Sequence, residues 1–209
     1  MPGVFGVSAF DGRVVVVAGA CHPLGRSLVR RLVGYGADVI AIDCDAEALR
    51  SLAQLDPVHI EALSLPLDDP EARAILMETW AHEPLFAMFD LSPLACDPGQ
   101  NLGAPIAAVS GLADALCAGL AAGRGRAILA LPDAQQAPDF ARASAAFGAM
   151  VPELDAMLHP ARLHGVRLKT GTRDWTEQQL TSSGDLVLAL CHPVSRALVG
   201  GHVLGVGAG

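Results

Sequence analysis

The sequence predicts an α/β fold, a doubly wound parallel sheet of about seven strands with helices on both faces. Three observations carry that expectation. Residues 14–25, VVVVAGACHPLG, run four β-branched residues into a glycine turn and the opening of an amphipathic segment; a β-branched run without alternation reads as a strand buried on both faces. Short apolar runs then alternate with helical periodicity to the end of the chain, the order that yields parallel strands joined by right-handed crossovers. Apolar residues make up 52% of the 209 and aromatic residues only 4%, so the core is expected to be Ala, Val and Leu in close packing. With no internal repeat and no low-complexity linker, residues 1–209 read as one domain.

The elements follow in order. After the strand at 14–17, Gly19 permits a tight turn, and the helix beyond it carries Leu28, Leu32 and Val33 on one face. Unpaired backbone N–H groups at such a helix start make an anion site. A second strand over 38–42 ends at Asp43, eighteen residues beyond Gly25, close to the offset at which a carboxylate meets an adenosine ribose. Strand, glycine turn, helix and acid together predict a Rossmann-like dinucleotide-binding unit. A helix over 46–54, a third strand over 60–67 and a helix over 70–82 come next, the last with Asp69 as N-cap and Pro70 in its first turn. The fourth strand spans 85–91, and prolines and glycines mark 92–103 as a loop. An Ala-rich helix over 104–122 contains Gly111 and Gly119, small residues that let another helix approach closely. A fifth strand covers 127–131, and a helix bent at Pro152 covers 138–158. A sixth strand at 165–168, a polar stretch at 170–184, a helix at 185–191 and a strand near 202–206 complete the pattern.

A net charge of −8 argues against a nucleic-acid partner, which requires clustered cations. The five cysteines, Cys21, Cys44, Cys96, Cys117 and Cys191, are odd in number, form no CxxC pair and read as buried thiols of a reducing compartment. The first residues lack the charged start and apolar core of a signal peptide, and no apolar run reaches about 18 residues. A cytoplasmic protein without membrane association is the expectation. His159, His164, His192 and His202 are scattered without metal-ligand spacing, and Cys191 is adjacent to His192 rather than facing it.

Taken in order, these segments resemble the short-chain dehydrogenase/reductase family over essentially the whole chain. The family's Gly-x-x-x-Gly-x-Gly turn is matched by Gly19, Pro23 and Gly25, its acid after the second strand by Asp43, and its adenine-contacting Asp after the third by Asp68. Its fifth and sixth strands resemble Gly125-Arg-Ala-Ile128 and Gly165-Val-Arg-Leu168. The resemblance implies the cofactor-binding residues Gly19, Gly25, Asp43 and Asp68, with NAD as the dinucleotide. Pro23, which removes an N–H donor where the pyrophosphate should lie, leaves binding and non-binding both open.

The family's chemistry is not carried over. Its hydride transfer uses a Tyr made acidic by a Lys four residues on, plus a Ser that binds the substrate carbonyl. The matching positions here are Phe140 and Ser144, the chain's one tyrosine is Tyr35 and its one lysine Lys169, and no serine lies between Ser110 and Ser144. The family's Asn-Asn-Ala-Gly after strand four is replaced by Asp90-Leu-Ser-Pro93, its Pro-Gly after strand six is missing, and 170–184 is too short for a substrate lid. These departures imply no catalytic residues. They point to a non-catalytic subunit that stabilises an active homologue, a hydroxyacyl or other secondary-alcohol dehydrogenase, in a heterotetramer or else self-associates. The family's interfaces, through the long helices and through the last helix and strand, would serve, and the apolar run over 186–206 reads as buried against a partner. Two alternatives stand beside it: an enzyme with rearranged chemistry around Asp90, Ser92 or His22, and a regulator that senses a dinucleotide through Gly19 and Asp43. The plainer readings make His22 an exposed loop residue, Asp43 the cap of the helix at 46, and Asp90 and Ser92 a turn before Pro93.

Overall fold

The computed structural model describes residues 9–95, 103–133, 139–168, 175–192 and 200–205. Seven strands form one parallel sheet in the order β3-β2-β1-β4-β5-β6-β7. They are β1 (Val14–Ala18), β2 (Asp38–Asp43), β3 (Ile60–Ser64), β4 (Ala87–Asp90), β5 (Arg126–Pro132), β6 (Arg162–Leu168) and β7 (His202–Gly205). The helices are α1 (Pro23–Gly34), α2 (Ala46–Ala53), α3 (Pro70–Thr79), α4 (Gly103–Ala115), α5 (Cys117–Gly123), α6 (Phe140–Met157) and α7 (Glu177–Cys191).

Each central strand feeds two cores by simple alternation. Val15 and Val17 of β1 pack with α1, α2 and α7, whereas Val16 and Ala18 pack with α3 to α6 on the opposite face. That is the double winding the run of valines implies. The order reverses between β1 and β4, so a crevice opens at their carboxyl ends, where open α/β sheets bind ligands.

Three expectations are corrected. The helix expected over 104–122 breaks at Leu116, and its two arms meet at 56°. The bend swings α5 down onto the segment leading into β4: the Leu85 N–H donates to the Gly119 carbonyl at 2.9 Å, and a Cβ on Gly123 would collide with the Leu85 carbonyl. A Cβ on Gly111 would meet the Arg73 side chain at 2.8 Å and one on Gly119 the Glu83 carbonyl at 2.9 Å, so the face of each glycine is taken up within the chain, one of the two packings its small size allows. The last helix begins at Glu177, well before residue 185. Thr176 and Gln179 form a reciprocal capping box there, which turns most of the expected polar stretch into the first turns of α7. Pro152 lies inside a continuous α6. Smaller shifts affect strand ends: β3 stops at Ser64, β6 starts at Arg162, and Val206 lies outside the described residues.

The α7 helix docks on α1, where Arg31 forms an ion pair with Asp185. Val187, Leu188, Leu190 and Cys191 are buried in this chain's own core, so much of the apolar run at 186–206 has an internal partner. Leu204 on β7 remains exposed. Val194, Leu198 and Val199 lie outside the described residues. Among the described residues no single helix is long and apolar enough to cross a membrane.

Candidate functional site

The crevice is floored by the β1–α1 turn. Gly19 has φ of +71°, and a Cβ there would lie 2.7 Å from the Leu91 carbonyl carbon and the Ser92 nitrogen. Only glycine satisfies both the backbone angle and the contact. A Cβ on Gly25 would run into the Gly19 carbonyl, so the second glycine lets α1 sit directly on its own turn.

Asp43, at the end of β2, closes this floor. Its Oδ2 accepts from the Cys21 N–H at 2.9 Å and its Oδ1 from the Cys44 N–H at 2.8 Å. The structure thus brings Gly19, Gly25 and Asp43 together. The cap of α2 is Asp45, which accepts from Glu47 and Ala48, so the capping role expected of Asp43 belongs two residues later. Asp68 is exposed on the β3–α3 turn, beside Asp69, which caps α3. Asp43 also raises the Cys21 thiol, but burial is the larger cause, and together they push it up to about 12.

His22 is not an exposed loop residue. It is the N-cap of α1, its Nδ1 accepting from the Leu24 N–H at 3.2 Å, and its ring meets Trp175 edge-on at 5.3 Å. Burial pushes the imidazole down to about 4, against a smaller opposing pull from Asp43, so it caps as a neutral acceptor. This decides how a dinucleotide fits. Gly19, Gly25 and Asp43 are the residues that would take an adenosine half, and both Asp43 carboxylate oxygens already accept backbone N–H bonds. For a pyrophosphate half the first turn of α1 offers little, because Pro23 has no N–H and the Leu24 N–H goes to His22, which leaves the Gly25 N–H.

Across the sheet, Asp90 ends β4. Its carboxylate is fully buried, with Oδ1 accepting from the Ser92 N–H at 3.0 Å and the Ser92 hydroxyl at 2.6 Å, while Oδ2 has no hydrogen-bond partner. Burial raises its pKa, and the Ser92 bonds oppose the rise. The turn reading of Asp90 and Ser92 is the one the geometry supports: Ser92 spends its proton on Asp90.

Phe140 opens α6 and its ring packs at the margin of the core. Ser144, one turn on, accepts a hydrogen bond from Arg167 Nη1 at 3.0 Å. Arg167 is the residue that sequence reading passed over. The signal was present in Gly165-Val-Arg-Leu168, where alternation puts Arg167 on the same face as Gly165, against α6. Strand β5 ends in Leu131 and Pro132 and offers no hydroxyl to the crevice. Among the described residues no group of His, Cys, Asp and Glu is placed to hold a metal ion. A cavity of about 270 Å³, lined by Arg13, Trp80 and Glu83 among others, lies at the amino ends of the central strands, by the first residues of β1.

The sheet order, the glycine turn and the two helical layers define a short-chain-dehydrogenase-like fold, and solved structures agree. The chain superposes on the citronellol catabolism dehydrogenase AtuB of Pseudomonas aeruginosa PAO1 with a TM-score of 0.79 and 16% identity, over 99% of this chain and 98% of that one. It superposes equally well, at 0.79 and 19% identity, on a chain from Escherichia coli CFT073 described as a short chain dehydrogenase, over 96% of this chain and 98% of that one. No family model and no curated protein matches the sequence.

Proposed function

We propose that this chain is a non-catalytic subunit of short-chain-dehydrogenase fold, which assembles with an active NAD-dependent homologue acting on a hydroxyacyl or other secondary alcohol and stabilises or completes it. One observation carries the reading. The position matching the family's proton donor holds Phe140, and the position matching its lysine holds Ser144, whose hydroxyl is engaged by Arg167. A phenyl ring has no proton to give, and a serine held by a guanidinium tunes no neighbour. The fold is kept around a site without that relay, which leaves its packing surfaces as the retained property. The outer edge of β7 with the exposed Leu204 is the surface through which assembly would run, in a heterotetramer or by self-association.

Co-purification from the native source tests this. A stoichiometric short-chain dehydrogenase carrying an intact Tyr-x-x-x-Lys pair supports the proposal. A monomer by sedimentation at micromolar concentration, with or without such a partner, refutes it, as does NAD-linked alcohol turnover by the isolated chain. Phe140→Tyr with Ser144→Lys should restore nothing, since the new lysine would face the Arg167 guanidinium and the crevice lacks the family's remaining contacts.

A second reading, a regulator that binds NAD, has the Gly19–Gly25–Asp43 floor in its favour. A homodimer that binds NAD tightly and recruits no homologue would favour it.

A further inference from the structure

We propose that Arg167, held by Ser144, is a recognition site for the carboxylate of a small monocarboxylic acid. The guanidinium stands on the carboxyl half of β6, facing α6, and its Nη1 is fixed by the Ser144 hydroxyl at 3.0 Å. Its Nε is buried and has no hydrogen-bond partner, and among the described residues no carboxylate forms an ion pair with it. Nη1 lies on the Cδ side of the guanidinium, so binding it to Ser144 leaves the other edge, Nε with Nη2, unmatched. That edge presents two parallel N–H donors at the spacing of two carboxylate oxygens.

An arginine in this state is unusual. A buried N–H without an acceptor costs about 1–3 kcal/mol, and the ordinary remedies, an aspartate opposite or a carbonyl within reach, are not used here. Ser144 instead fixes the side chain in one orientation, as a pre-organised binding group requires. Phe140 lies one turn before Ser144 on the same face of α6, half-buried, and supplies an apolar wall. A planar anion with an apolar body fits a two-donor edge beside a ring. A phosphate, with three oxygens to satisfy, is poorly served by one cation.

The site shares with the proposed function only the identity of positions 140 and 144. Hydride-transfer turnover would overturn that function and leave carboxylate binding to be judged on its own data.

The test is calorimetric titration of the purified chain, in whatever assembly it adopts, with sodium benzoate and sodium butyrate at constant ionic strength. Benzamide serves as the neutral isostere of benzoate and inorganic phosphate as the competing anion. Saturable binding of a carboxylate is expected, with benzamide at least tenfold weaker. Arg167→Gln should weaken binding about 10- to 100-fold, the scale of a charge-assisted pair. Arg167→Lys should recover only part of that loss because it cannot form the two-donor edge. Ser144→Ala, which keeps the cation and frees its orientation, should weaken binding several-fold while leaving circular dichroism unchanged. Failure of the wild-type chain to bind either acid overturns the proposal. So does equal binding of benzamide, tighter binding of phosphate, or unchanged affinity in a folded Arg167→Gln protein.

Discussion

Asp90→Asn should gain stability relative to the wild type as pH rises. In the wild type the carboxyl is fully buried, Oδ1 accepts two bonds from Ser92, and Oδ2 has no partner. Burial, the larger cause, raises the folded pKa, and the Ser92 bonds only oppose it. The folded protein therefore holds a proton that the unfolded chain releases near pH 4. Because the folded state binds more protons, stability falls as pH rises from the unfolded value and goes on falling until the folded pKa is passed. While only the folded form is protonated the slope is about 1.4 kcal/mol per pH unit. Asparagine keeps the acceptor for Ser92 and removes the titration. Its amide nitrogen, placed where Oδ2 stands, is a new unpaired donor at a pH-independent cost of about 1–3 kcal/mol. The test is thus the change of the difference with pH and not its size at one value. Urea unfolding of both proteins at fixed concentration, from pH 4.5 to 8, should show Asp90→Asn gaining on the wild type as pH rises above the unfolded value, and levelling once the folded pKa is passed. A difference flat with pH, or one that shrinks, would refute the reasoning.

Four further outcomes follow from the site and its supports. His22 caps α1 as a neutral imidazole lowered to about 4, so the folded state binds fewer protons than the unfolded one; stability is intact above about pH 6.5 and falls toward pH 4. Discounted for partial exposure, that loss is about 1–3 kcal/mol, and His22→Asn, a cap without a titration, should flatten the Tm decline between pH 7 and 5. Gly25→Ala should cost about 3 kcal/mol or more by chemical denaturation, because its Cβ meets the Gly19 backbone. Gly111→Ala should stay within about 1 kcal/mol of wild type, because its Cβ meets a flexible Arg73 side chain and alanine favours the helix. If a dinucleotide binds, calorimetry should find NAD ahead of NADP, since Asp43 would face the 2′-phosphate, and Asp43→Asn should narrow the gap. Preference for NADP would contradict that placement.

What sequence could reveal here depended on whether a feature was local. The run of four valines, the glycine turn and the Asp69–Pro70 helix start are encoded within a few residues, and each lies where its pattern puts it. The Thr176–Gln179 capping box is equally local but sits in a polar stretch that reads as a connection too short for a lid, so the expected start of α7 falls too late. The bend at Leu116 was not legible, because its cause is the distant strand-entering segment at Leu85. At the site, Gly19, Gly25 and Asp43 follow from spacing. The pairing of Ser144 with Arg167 joins residues 23 apart and required the strand-to-helix packing itself. His22 looked exposed because nothing near it in sequence announces Trp175 as its cover.

The contact of α1 with α7 has a kinetic consequence. Its Arg31–Asp185 ion pair joins residues 154 positions apart, bringing an early helix against a late one across the point where the sheet order reverses. Closing so long a span is slow, and it must happen before the apolar side of α1 and one face of β5 and β6 are shielded from water. A chain halted before residue 177 would own six of the seven strands and still present that uncovered face. Such a species is a sticky intermediate and not a smaller stable protein. Refolding from denaturant would accordingly be limited by the arrival of α7, and holding it in place early would do more for yield than strengthening any strand.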